Sequence, residues 1–142
     1  IKLNFIGDIS TFTEALQLKI KEIEKETFGN KKLILNVALN YGGRLDIVNS
    51  VNKFYSKKKK IKNITENDIN SGLYTKGHSD VDLLIRTGGQ QRMSNFLLWQ
   101  SAYAELFFSK KLWPDFDEKI FVDALYFFQN TERKFGSIST GI

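Results

Sequence analysis

Three short apolar runs, each stopped by turn residues and separated by stretches of a different period, restrict what this chain can fold into. Lys2 to Ile6 is stopped by Gly7, Leu33 to Leu39 is closed by Asn40-Tyr41-Gly42-Gly43, and Val81 to Ile85 runs into Arg86-Thr87-Gly88-Gly89. Runs of this length between turn signals read as strands. Between them the apolar spacing is helical, through Ala15, Leu16, Leu18, Ile20 and Ile23, and again through Leu45, Ile47, Val48, Val51, Phe54 and Tyr55. Thr11-x-x-Glu14 forms a capping-box pattern ahead of the first stripe, and Thr65-x-x-Asp68 opens a further short helix. The spacing also predicts a helix over Ser94 to Ala104, a short strand over Leu106 to Phe108, and a last helix over Asp117 to Arg133 with Gly136 beyond its end. Strands alternating with helices predict an α/β fold, a mainly parallel sheet flanked by helices in a single domain.

Composition removes several classes of chemistry. The 142 residues contain no cysteine, which excludes a disulfide framework, a thiolate nucleophile and a thiolate metal site. The single histidine, His78, excludes a multi-histidine zinc site and sits in a polar loop where a surface role is the simpler reading. Net charge is +5, which favours anionic partners without naming one. The densest basic run, Lys57 to Lys60, follows a helical stripe and reads as a solvated C-terminal end, and nothing interleaves aromatic and basic residues as a nucleic-acid surface would. No run is apolar for long enough to cross a bilayer. The 12 phenylalanines fill a core or line a long apolar pocket.

The segment after the third strand carries the most chemistry. Arg86 ends an apolar run, a glycine pair follows, and Arg92 and Ser94 stand where the next helix is expected to begin. Two guanidinium forks, glycines that admit backbone N–H groups, and a helix N-terminus capped by Ser94 are a means of holding a phosphate or diphosphate. An internal acid such as Asp82 or Asp46 is the structural alternative for Arg86. Glu105 is an acid among apolar neighbours and needs an arginine, a backbone N–H or a metal ion. On an unbroken helix Ser94 and Glu105 would lie about 16 Å apart, so Glu105 reaches the same anion only if the chain folds back, and otherwise serves a neighbouring subunit.

The run Arg86-Thr87-Gly88-Gly89, then Arg92-x-Ser94-Asn95-Phe96-Leu97-Leu98-Trp99-Gln100, together with Leu35 to Arg44 and Asp82 to Trp113-Pro114, closely resembles the cis-prenyltransferases of the bacterial undecaprenyl diphosphate synthase branch. The resemblance extends from Asn4-Phe5-Ile6-Gly7-Asp8 to Arg133-Lys134-Phe135-Gly136. It implies a magnesium-dependent transferase that adds isopentenyl diphosphate to an allylic diphosphate such as farnesyl diphosphate with cis geometry. It further implies a homodimer, cytoplasmic, with peripheral membrane contact through a long lipid product that serves as a cell-wall carrier. Arg86, Arg92 and Ser94 match the residues that hold isopentenyl diphosphate, Met93 lies in the same segment, and Glu105 matches a magnesium ligand. The resemblance places residues 1–142 as the C-terminal part of one domain, with the essential aspartate and asparagine expected in a preceding N-terminal part and no catalytic residue of its own. Gln90 departs from the acid that bacterial members often carry there. A non-catalytic partner subunit or a phosphate-binding module of the same fold is the alternative, and the presence of Arg86, Arg92, Ser94 and Glu105 favours the enzyme.

Overall fold

Large apolar and β-branched side chains over Lys2–Ile6 and Ile34–Ala38 suit a pleated strand, and the two segments pair in parallel as β1 and β2, with Lys2 opposite Ile34 and Ile6 opposite Ala38. A computed structural model describes residues 1–57 and 63–133, which divide into two units, Ile1–His78 and Ser79 onward.

In the first unit, β1 has one neighbouring strand, and its outward N–H groups are met by a helix. Helix α1 (Glu14–Thr27) turns Glu24 and Thr27 toward the strand: Phe5 N donates to Glu24 Oε1 at 2.8 Å and Leu3 N to Thr27 Oγ1 at 3.0 Å. Side chains thus satisfy the edge that a second strand would otherwise pair. Thr27 passes its own proton to the Ile23 carbonyl at 2.8 Å. The expected capping box at Thr11 does not form, because Ile9–Thr11 is a 3₁₀ turn and α1 starts after Thr13. That turn is organised instead by Asp8, whose carboxylate accepts from the Ser10 hydroxyl and N–H, bonds that hold its pKa below the ordinary value. Gly7 is required where β1 ends: its φ is +116°, and a Cβ there would sit 2.0 Å from the Leu39 carbonyl oxygen.

Helix α2 (Gly43–Lys57) buries a face that its apolar residues do not mark. Asp46, Ser50 and Phe54, one turn apart, are buried, whereas Leu45, Val48 and Tyr55 are exposed. Asp46 accepts from the Tyr41 hydroxyl and from Tyr74 N, both at 2.9 Å, and Ser50 donates to the Ile69 carbonyl at 2.5 Å. Helix α3 (Glu66–Gly72) opens on the expected Thr65–Asp68 capping box. It approaches α2 so closely that a Cβ on Gly72 would lie 2.8 Å from Ser50 Cα. The basic residues beyond Lys57 lie outside the described residues.

In the second unit, β3 (Leu83–Arg86) and β4 (Glu105–Phe108) are parallel, with Leu83 opposite Glu105 and Arg86 opposite Phe108. Helix α4 (Glu118–Gln129) is capped by Asp117, which accepts from Ile120 N at 2.9 Å. It ends four residues short of the expected Arg133. Phe127 of α4 meets Phe107 of β4 at 5.7 Å between ring centres, and Ala124 is fully buried. The helix expected over Ser94 to Ala104 is absent, and this stretch is a series of turns. Ser94, Asn95 and Leu97 have φ of 47°, 64° and 46°, in the left-handed region, so no right-handed helix can pass through them.

The α/β class and parallel pairing agree with expectation, as two two-stranded ladders within the described residues. Among the described residues no helix is long and apolar enough to cross a membrane.

Candidate functional site

The third strand delivers Arg86 at its C-terminal end, and the turns that follow bring Arg92 and Ser94 back beside it. Arg86 Nη1 donates to Ser94 Oγ at 2.9 Å and also to the Arg92 carbonyl. Arg92 Nε donates to the same Ser94 oxygen at 3.2 Å. The left-handed backbone at Ser94 makes this convergence possible, since it turns the chain where a helix would have carried the hydroxyl away. Such conformations cost on the order of 1–2 kcal/mol per residue and cluster where a site needs an unusual turn.

Ser94 Oγ therefore fills its acceptor positions with two guanidiniums, and its single O–H remains a donor. Among the described residues Arg86 bonds through Nη1, which leaves Nε–H and Nη2. Arg92 makes one further bond, to the Gln90 side-chain oxygen. These acceptors are all neutral, and among the described residues neither arginine is paired with a carboxylate. The unit thus presents two uncompensated cations and a hydroxyl donor to one spot. The acids considered as partners of Arg86 are engaged elsewhere: Asp82 with Arg133, and Asp46 with Tyr41 and Tyr74.

A pocket of about 270 Å³ opens at this cluster, walled by Leu84, Ile85, Met93 and Phe96 beside Arg86, Arg92 and Ser94. An anionic head with a small apolar tail matches such a lining. A larger pocket, about 440 Å³, lies in the first unit beside Ser50, Lys53, Phe54 and Lys76. Its polar groups already serve the fold: Lys53 donates to the Gly72 carbonyl at 2.9 Å, Ser50 donates to the Ile69 carbonyl, and Asp68 accepts from Thr65 N in the α3 cap. Size alone does not select the functional pocket here.

Two expectations about this segment are corrected. Ser94 is not a helix N-cap, because no helix follows it. Nor do the glycines offer free N–H groups: Gly88 N donates to the Lys111 carbonyl at 2.7 Å and Gly89 N to that of Ser109 at 2.9 Å. Gly88 and Gly89 instead supply φ of +88° and +75° and extend the β3–β4 pairing past its end. A Cβ at Gly88 would meet nothing within 4 Å, so Gly88→Ala tests backbone conformation alone. It is expected to cost about 1–2 kcal/mol in urea denaturation; unchanged stability would contradict the requirement for a positive φ.

Glu105 lies away from this cluster. It starts β4 opposite Leu83, three strand positions from Arg86, and by the alternation of strand side chains it faces the other side of the ladder. Its neighbour is Arg133, whose Nε is 3.8 Å from Glu105 Oε1 and whose Nη1 is 2.6 Å from Asp82 Oδ1. Among the described residues no three metal-ligating side chains gather. Magnesium commonly takes one or two carboxylates and completes its shell with water and substrate phosphates, a chemistry that a single carboxylate such as Glu105 would suit. Sequence reasoning did not find the Arg92–Gln90 bond or the Arg133 contacts; the two-residue spacing was a signal for the first, and nothing local signals the second.

The family model described as "Putative undecaprenyl diphosphate synthase" matches residues 1–136. A ditrans,polycis-undecaprenyl-diphosphate synthase ((2E,6E)-farnesyl-diphosphate specific) of Shewanella oneidensis is 50% identical over 140 residues, 96% of this chain and 51% of that protein. The protein of the same name from Haemophilus ducreyi is 49% identical over 96% of this chain and 58% of its own length. The chain thus spans about half the length of the curated relatives it matches. Among solved structures, lavandulyl diphosphate synthase from Lavandula x intermedia in complex with dimethylallyl diphosphate superposes with a TM-score of 0.90 at 37% identity, covering 96% of this chain and 60% of that one. A "probable undecaprenyl diphosphate synthase" from Campylobacter jejuni superposes at 0.87 and 35% identity, covering 96% and 63%.

Proposed function

Because the chain belongs to the undecaprenyl diphosphate synthase family of cis-prenyltransferases, we propose that its Arg86, Arg92 and Ser94 grip the diphosphate of isopentenyl diphosphate in a protein that condenses this unit onto farnesyl diphosphate. The observation that carries the reading is the convergence of both guanidiniums on one hydroxyl, with no carboxylate among the described residues paired to either. A diphosphate entering there gains charge-assisted bonds to both arginines and a bond from the Ser94 O–H. Met93 and Phe96 line the same pocket and contact the five-carbon tail.

The reaction breaks the allylic carbon–oxygen bond, joins that carbon to the terminal alkene carbon of isopentenyl diphosphate, and releases a proton as the new double bond forms. Residues of this chain contribute by placement. A clamped diphosphate aims the alkene at the allylic carbon, which turns a two-body encounter into an oriented one. Magnesium, when bound, would offset charge on the departing diphosphate, and Glu105 is the residue read as one of its ligands. Glu105 and Arg86 occupy opposite ends of one ladder, which favours a homodimer in which Glu105 serves a site other than the one its own Arg86 lines. The exposed apolar residues Tyr103 and Leu106 near β4, and Phe121, Val122 and Leu125 of α4, supply a surface for that association. Cytoplasmic placement with peripheral membrane contact follows from an apolar product.

The full-length gene product is expected to incorporate labelled isopentenyl diphosphate into a long polyprenyl chain when given farnesyl diphosphate and magnesium; absence of incorporation overturns the reading. Residues 1–142 alone are expected to be inactive, and turnover by them would contradict the assignment of this chain to one half of the site.

A further inference from the structure

Arg133 stands four residues beyond the last residue of α4, and each of its three nitrogens faces a separate acceptor at the start of the β3–β4 ladder. Nη1 is 2.6 Å from Asp82 Oδ1, Nη2 is 3.4 Å from the Tyr103 carbonyl, and Nε faces Glu105 Oε1 at 3.8 Å. The guanidinium also lies over the Phe128 ring at 5.4 Å from its centre. Its side chain is only 20% exposed, as is nearly true of Glu105 at 23%, whereas Asp82 is 63% exposed.

The inequality among these contacts is informative. An arginine that neutralises a carboxylate frequently takes it bidentately, with two short parallel bonds. Here the short bond goes to the exposed acid, and the part-buried Glu105 receives an ion pair longer than a hydrogen bond. The planar fork is fixed by Asp82, the Tyr103 carbonyl and the Phe128 ring. Glu105 is held beside a fixed positive charge, and among the described residues no hydrogen bond takes its lone pairs.

We propose that Arg133 is a positioning residue for Glu105: anchored by Asp82 and the Tyr103 carbonyl, it holds the Glu105 carboxylate in place without occupying the oxygens that a cation would take. The inference rests on the reading of Glu105 as a metal ligand.

Mn²⁺ binding to the full-length gene product, followed by electron paramagnetic resonance, separates the two. Glu105→Gln should weaken Mn²⁺ binding, and no change there would remove the metal reading of Glu105 itself. Given that loss, Arg133→Lys and Arg133→Gln should each weaken Mn²⁺ binding about five- to tenfold, and neither should add to the loss in the Glu105→Gln background. A role through charge alone gives the opposite result, with Arg133→Gln tightening Mn²⁺ binding and Arg133→Lys leaving it unchanged. A purely structural role gives the same loss with or without Glu105. Either outcome overturns the inference. Should the Arg133 variants fail to fold, Asp82→Ala removes an exposed anchor and tests the same point. It should weaken Mn²⁺ binding in the wild-type background and leave it unchanged once Glu105 is glutamine; a loss that persists without Glu105 overturns the inference.

Discussion

Arg92→Ala in the full-length gene product will weaken isopentenyl diphosphate binding about 10²- to 10³-fold and leave farnesyl diphosphate binding within about threefold. The estimate follows from two charge-assisted bonds at about 1.5–2 kcal/mol each. Arg92 is the cleaner of the two arginines to remove. It is exposed and its internal bonds go to side chains, Ser94 and Gln90. Arg86 is half-buried and also ties down the Arg92 carbonyl, so Arg86→Ala will loosen the turn as well as the ligand. Titration calorimetry with each diphosphate separately distinguishes the cases. Equal loss for both substrates would contradict the assignment of this cluster to isopentenyl diphosphate.

Asp46→Ala is expected to cost about 2–5 kcal/mol of stability, from removing the acceptor of two part-buried donors at about 1–3 kcal/mol each. Asp46 is 1% exposed and holds the Tyr41 hydroxyl and the Tyr74 N–H at once. Truncation removes the acceptor of both donors in a region where Ser50 and Gly72 already bring α2 and α3 into close contact. Urea denaturation of the full-length gene product measures this, with activity followed across the same series. Asp46→Asn keeps an acceptor and should lose less. A cost below about 1 kcal/mol for the alanine variant would mean that Asp46 is not an anchor of the α2–α3 region.

How far the sequence reveals this molecule depends on whether a residue's partners are local. The Thr65–Asp68 cap is legible because both partners lie within one turn and form the expected reciprocal bonds. Asp117 caps α4 for the same reason. The Ser94–Ala104 segment misleads because Phe96, Leu97, Leu98 and Trp99 carry an apolar pattern compatible with a helix. The backbone at Ser94, Asn95 and Leu97 adopts left-handed φ angles, which the residue types there do not signal. The buried face of α2 is misread for a related cause. Leu45 and Val48 are apolar yet exposed, and Asp46 and Ser50 are polar yet buried, because the partners that satisfy them are Tyr74 N and the Ile69 carbonyl, 28 and 19 residues away. Arg86, Arg92 and Ser94 could be selected from residue type and spacing. Their convergence was expected from a helix N-terminus and is achieved by a left-handed turn. Glu105 could be picked out as an acid in need of a partner, but not that the partner would be Arg133, 28 residues on.

A crystal structure of the full-length gene product with isopentenyl diphosphate tests the central claim most directly. Diphosphate oxygens within about 3 Å of both the Arg86 and Arg92 guanidiniums and of the Ser94 hydroxyl are the expected result. A diphosphate bound elsewhere, with these three side chains still bonded only to one another, would contradict it.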